Sequence, residues 1–131
     1  MSIRLFLSFF LFLNGCSNLK ESVVPSDDVF INDFITGQRK KLPITLNSMT
    51  KWVDVYKLNN KLVYVYKVNM VGLDERVIQT IKNNNSSESK VNEICNLIVG
   101  TFDSKVDIEY KILNVNNLEL VSMTYNEDDC N

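Results

Sequence analysis

The chain has 131 residues, of which 45% are hydrophobic and 23% charged, and its 14 basic and 16 acidic residues give a formal net charge of −2. A weakly acidic chain without long basic runs is a poor match for nucleic acid, which is held mainly through Lys and Arg on phosphates. The absence of histidine excludes His-based triads, His zinc sites and imidazole acid–base catalysis.

Met1 to Arg4 carries one positive charge, and Leu5 to Leu13 is apolar except for Ser8. That run is shorter than the roughly 20 residues a membrane-spanning helix needs, and it matches the apolar core of an export signal. It ends in Leu13-Asn14-Gly15-Cys16. This resembles the bacterial lipobox, with Asn14 the least typical of the four residues. The resemblance implies removal of residues 1–15 and attachment of diacylglycerol to the Cys16 thiol. The alternative is an ordinary signal peptide that contains a cysteine. Ser17 and Asn18 follow Cys16, in place of the Asp that signals inner-membrane retention. The implied address is therefore the outer membrane, with the domain on its periplasmic face. Loss of Arg4 with the signal takes the net charge from −2 to −3.

Residues 16–41 read as a lipidated N-terminus and tether, and residues 42–131 as a single α+β domain. Within the first segment, VFINDFITG (29–37) fits a short strand or one helical turn ending at Gly37, packed on the domain or offered to a partner. The basic cluster around Lys40 reads as a solvated loop.

The segment 52–70 is the clearest local signal. Leu62, Tyr64, Tyr66, Val68 and Met70 alternate with Val63, Val65, Lys67 and Asn69, and Asn59-Asn60 can take the positive φ of a tight turn. This predicts a β-hairpin. Helical spacing follows. Asp74 is placed to cap a first turn that leads to Val77, Ile78 and Ile81. Ser86 or Ser87 can start a second helix with the stripe Val91, Ile94, Cys95, Ile98, and Gly100 is a plausible stop. Period two returns in Val106, Ile108, Tyr110 and Ile112, alternating with Asp107, Glu109 and Lys111, which predicts a strand with one apolar face. The NVNN stretch (114–117) makes a turn, and LELVSMTY forms the last strand. The expected fold is α+β: an antiparallel sheet of about four strands in β-β-α-β-β order, with one or two helices on one face.

With Cys16 assigned to the lipid, Cys95 and Cys130 remain. An even remainder in an exported chain reads as one disulfide, and two free thiols are the alternative. Closing a loop of about 35 residues constrains the unfolded chain by about 3–4 kcal/mol.

Leu42-Pro43, Thr50, the Tyr64 to Tyr66 hairpin, a helix ending in a cysteine, a strand with Tyr110 and a terminal cysteine are similar to a loose group of small exported bacterial proteins. Many of these are lipidated and most lack an assigned function. The likeness spans about residues 42–130. It implies the sheet-plus-helix domain and the disulfide, and it supplies no catalytic residue.

The residues give little support to an enzyme, and no cofactor or metal ligand set is expected. Neither cysteine has a basic partner nearby in sequence. The four glycines lack phosphate-cradling spacing. Glu127, Asp128 and Asp129 read as solvated acids; Asp107 and Glu109 share one strand face and could form a carboxylate pair, which the wet face of a strand explains equally well. Tyr56, Tyr64, Tyr66 and Tyr110 are the candidate partner surface, because tyrosine is enriched at interfaces; tyrosines of a core are the plainer reading. The functional expectation is a membrane-anchored, non-enzymatic module that binds a periplasmic or envelope protein or peptide. Pilotin-like chaperones of secretion channels, exclusion lipoproteins and lipoprotein inhibitors share this format. The alternative is a structural envelope lipoprotein without a specific ligand. An exposed sheet edge or a tyrosine groove favours the first, and a uniformly polar surface favours the second.

Overall fold

A computed structural model describes residues 27–130, so the signal segment, Cys16 and most of the tether lie outside the described residues. The chain divides between Asn32 and Asp33 into two units, the second of which, Asp33–Asn131, holds the sheet. Their boundary falls inside the first described helix, α1 (Asp27–Arg39). The segment 29–37, expected as a short strand or a single turn, is therefore part of a 13-residue helix. Helical bonding carries it past Gly37 to Arg39, at a cost of about 1 kcal/mol for an interior glycine relative to alanine.

Five strands follow: β1 (Ile44–Thr45), β2 (Thr50–Leu58), β3 (Lys61–Val68), β4 (Asp107–Leu113) and β5 (Glu119–Tyr125), side by side in that order. Helices α2 (Glu75–Asn85) and α3 (Glu88–Cys95) lie in the connection between β3 and β4, so the domain is α+β. The hairpin β2–β3 turns at Asn59, whose φ of 57° is the left-handed value expected there. The sheet differs from a purely antiparallel one in a single pairing: β3 and β4 run parallel, with Tyr64 opposite Tyr110. The two intervening helices carry the chain back along the sheet, so β4 enters at the same end as β3. Parallel neighbours require this kind of long crossover. A short fifth strand, β1, is added at the β2 edge.

The helix starts follow local chemistry. Asp74 Oδ1 accepts from the N–H groups of Arg76 at 2.9 Å and Val77 at 3.4 Å. Ser87 Oγ accepts from Lys90 N–H at 3.2 Å. Each satisfies donors that the first helical turn leaves without partners. Helix α3 continues into one wider turn, Asn96–Thr101, which ends at buried Phe102. Phe34 of α1 meets Phe102 edge to face, with ring centroids 5.2 Å apart.

The helices cover the sheet face that carries Leu62, Tyr64, Ile108, Tyr110 and Ile112. Ile78 packs with Ile112, Leu120 and Val121, joined by the half-buried Tyr66, Val68, Ile81 and Met123. Ile94 and Ile98 are fully buried, as their stripe predicts. Cys95 and Cys130 form a disulfide with Cα atoms 5.5 Å apart, tying the end of α3 to the short 3-10 turn Glu127–Cys130.

Candidate functional site

Alternation along β3 and β4 decides where the tyrosines go. Tyr64, Tyr66 and Tyr110 share the helix-covered face, and they form one aromatic layer with two further rings. Trp52 stacks on Tyr64 at 5.2 Å between centroids and lies 6.2 Å from Tyr66. Tyr110 contacts Tyr64 at 5.5 Å, Tyr66 at 5.4 Å and Tyr125 at 5.9 Å. Such pairs add about 0.5–1.5 kcal/mol each beyond simple burial. Tyr64 and Tyr110 are each 4% exposed, which makes them core. Tyr66 is half-buried and reaches a surface groove. Tyr56 pairs across from Val63 and so lies on the opposite face, apart from the other three.

Burial pushes the Tyr64 phenol up to about 12. Tyr66 and Tyr110 are raised likewise, by burial first and by neighbouring phenols next. These hydroxyls stay protonated at neutral pH and act as hydrogen-bond groups, not as acids or bases. Tyr125 donates to the carbonyl of Asn85 at 2.7 Å, which fastens the end of α2 to β5.

The groove has a volume of 220 Å³ and lies between the sheet and the α2–α3 corner. Leu46, Val68, Ile81 and Ile112 make it apolar; Tyr66 and Tyr110 form part of its floor; Asn84, Asn85, Thr50 and Lys90 supply polar groups. The Lys90 ammonium sits 5.3 Å from the Tyr110 ring centroid, within cation–π range. Neither a cysteine nor a carboxylate appears among these lining residues. An apolar trough with a few polar groups holds an apolar segment and orients it. Beside it, exposed apolar side chains cluster at the same end of the sheet: Leu46 and Met49 before β2, Val71 and Leu73 after β3, Leu118 before β5. Asn114 organises that end. It is fully buried; its amide nitrogen donates to Gly72 O at 3.1 Å, and its Oδ1 accepts from Asn116 and Leu118 N–H at 2.8 and 3.0 Å. Neither Trp52 nor Asn114 is marked as a structural anchor by any pattern in the sequence. The only signals were a single tryptophan and an Asn at the head of a turn.

The opposite face sets polar groups around the buried Val63 and Val65. Glu109, 7% exposed, pairs with Lys61 Nζ at 2.8 Å and accepts from Ser122 Oγ at 2.6 Å. Burial raises its carboxyl, but the bonds from Lys61 and Ser122 outweigh that and hold its pKa below the ordinary value. Lys111 Nζ donates to Tyr56 OH at 3.3 Å, a contact that raises the Lys111 ammonium. Asp107 and Glu109 therefore do not act as a carboxylate pair, since Glu109 is committed to Lys61. Among the described residues no cluster of His, Cys, Asp or Glu is arranged to hold a metal ion, and no helix is long and apolar enough to cross a membrane.

No protein-family model matches the sequence, and no curated protein matches it. Solved structures do match the fold. A Pseudomonas aeruginosa protein thought to be secreted aligns with a TM-score of 0.58 at 13% identity, over 82% of this chain and 99% of its own. The pilotin EpsS of the Vibrio vulnificus type II secretion system aligns with a TM-score of 0.52 at 12% identity, over 80% of this chain and 92% of its own. The type II secretion pilotin AspS of Vibrio cholerae aligns with a TM-score of 0.53 at 12% identity, over 79% and 92%. At such identities the likeness defines a shared fold. The chain is thus a small α+β domain whose helix-backed sheet has the architecture found in these proteins.

Proposed function

We propose that this chain is a non-enzymatic protein-binding module of the bacterial envelope that works in the manner of a pilotin, anchored through a lipid on Cys16 with its domain facing the periplasm. The observation that carries the reading is the apolar groove at Leu46, Val68, Ile81 and Ile112, on a fold that two type II secretion pilotins share. The exposed Met49, Val71, Leu73 and Leu118 beside it argue against a purely structural lipoprotein, which needs no apolar surface. The lipid anchor rests on Leu13 to Cys16 and the outer-membrane address on Ser17. The domain boundary rests on the composition of residues 16–41.

A photo-crosslinking side chain placed at Leu46 or Ile81 in the native host tests the binding role. The expected result is one protein adduct of the same mass from both positions, none from Glu127 at the far end of the sheet, and loss of the adduct on Val68→Asp. Adducts equally strong from Glu127, or none from the groove, would remove the basis for this reading. The anchor is tested separately: a palmitate analogue should label the wild type and not Cys16→Ser, and Ser17→Asp should move the protein toward the inner-membrane fraction.

A further inference from the structure

The two edges of the sheet are treated differently. On the β2 side, β1 pairs only with Trp52 and Lys51. Just beyond it the register shifts between Trp52 and Asp54, and side chains occupy the backbone. Val55 N–H donates to Asp54 Oδ1 at 2.8 Å, Trp52 Nε1 donates to Asp54 O at 2.9 Å, and Arg39 Nε holds the same carboxylate at 3.1 Å. Side-chain plugs and bulges of this kind stop a further strand from adding.

The β5 side has no such plug. β5 ends the sheet, and among the described residues nothing bonds to its outer backbone groups. Its side-chain bonds run inward, from Ser122 to Glu109 and from Tyr125 to Asn85. Its sequence, ELVSMTY, has neither Lys nor Pro, and its single charge, Glu119, lies at its start; charged residues and Pro are what commonly guard an edge. The only irregularity lies at its start, where the register shifts between Ile112 and Leu113, leaving Val121 to Tyr125 regular.

We infer that the β5 edge pairs with the β5 edge of a second copy of this chain, antiparallel and centred on Met123. The strand is its own complement in that register. Val121 falls opposite the second copy's Tyr125, and Met123 opposite its own counterpart, all on the helix-side face. Ser122 falls opposite Thr124 on the other face, where both are exposed. β-Branched–aromatic and Ser–Thr pairs are among the favourable cross-strand combinations, and no like charges meet between Val121 and Tyr125; Glu119 faces Glu127 two residues further on, where Glu127 has left the strand for the 3-10 turn. Moving the centre to Ser122 would set apolar Leu120 against Thr124 and Glu119 against Tyr125. The resulting interface is two-fold symmetric and closed. It uses a different part of the molecule from the groove and does not depend on the groove's function.

Two differently tagged full-length chains, one Ser122→Cys and the other Thr124→Cys, co-expressed in the envelope, test the pairing. The Met123-centred register places these two positions opposite one another at about 4.5–5.5 Å between Cα atoms, within disulfide reach. The expected result is an oxidised cross-link between the two tags and none when either variant is expressed alone. Absence of the mixed cross-link would overturn the inference, and that is also the outcome if the strand of another protein occupies the edge. Cross-linking of Ser122→Cys with itself to the same extent would overturn the register. As a second measurement, native mass spectrometry of the detergent-extracted full chain should show a dimer. Ser122→Lys/Thr124→Lys, which sets Lys opposite Lys twice, should give a monomer with an unchanged circular dichroism spectrum. A wild type that is monomeric in that experiment also overturns the pairing.

Discussion

The two faces of the sheet hold together by different means. On the helix side, five aromatic rings and the isoleucines of α2 and α3 bury apolar area around Tyr110. On the other side, Val63 and Val65 sit among polar neighbours, with Glu109 fixed by Lys61 and Ser122 and with Lys111 joined to Tyr56. The first face depends on area and shape, so it tolerates salt and pH but not truncation. The second buries Val63 and Val65 as well, but it also holds one nearly buried charge, so it responds to pH and to the loss of a partner. The groove belongs to the first face, since Tyr66, Val68, Tyr110 and Ile112 line it from the sheet and Ile81, Asn84 and Asn85 from α2.

The sharpest way to break this contrast is at the shared ring. Tyr110→Ala should destabilise the domain by about 3–5 kcal/mol, the range for truncating a buried aromatic, while Tyr56→Ala should cost about 1 kcal/mol or less. Urea unfolding monitored by Trp52 fluorescence measures both, and equal losses would end the distinction. Next in size, Cys130→Ser should cost about 2–4 kcal/mol by releasing the chain end from α3, read from the denaturation midpoint under non-reducing conditions.

On the polar face, Lys61→Met leaves the Glu109 carboxylate buried without its cation and should cost about 1–3 kcal/mol. Lys61→Met/Glu109→Leu should recover most of that loss, because replacing both partners removes the unpaired charge. A double-mutant cycle checks this. The same carboxylate sets the acid response. Its pKa is depressed in the folded protein, so its contribution is fully present above the unfolded value of about 4.3 and is lost as pH falls through the lower folded value. The urea midpoint should therefore fall below about pH 4 in the wild type, and less steeply in Glu109→Gln. The smallest effect is expected for Tyr56→Phe, about 0.5 kcal/mol from the single bond to Lys111, with the groove-side adducts unchanged.

Local physics made much of the fold legible. Alternation along 62–70 and 106–112 separates the two faces whatever lies beside the strands. Asp74 and Ser87 cap helices because a short polar side chain meets orphan N–H groups within its own turn, and the spacing of Ile94 and Ile98 buries them. Those signals depend on residues within one turn or one pleat of each other. What the tertiary structure decided is non-local. A strand alternates identically in a parallel or an antiparallel pair, so only the path of α2 and α3 makes β3 and β4 parallel. Trp52 stacks on Tyr64 only after the hairpin register is set, which gives a lone tryptophan no sequence pattern to announce it. Asn114 is buried because loops from two distant parts of the chain close over one amide. The division of the tyrosines has the same origin. Tyr56 and Tyr64 look equivalent along the hairpin, yet the register between their strands sends them to opposite faces, one to the polar network and the other to the core.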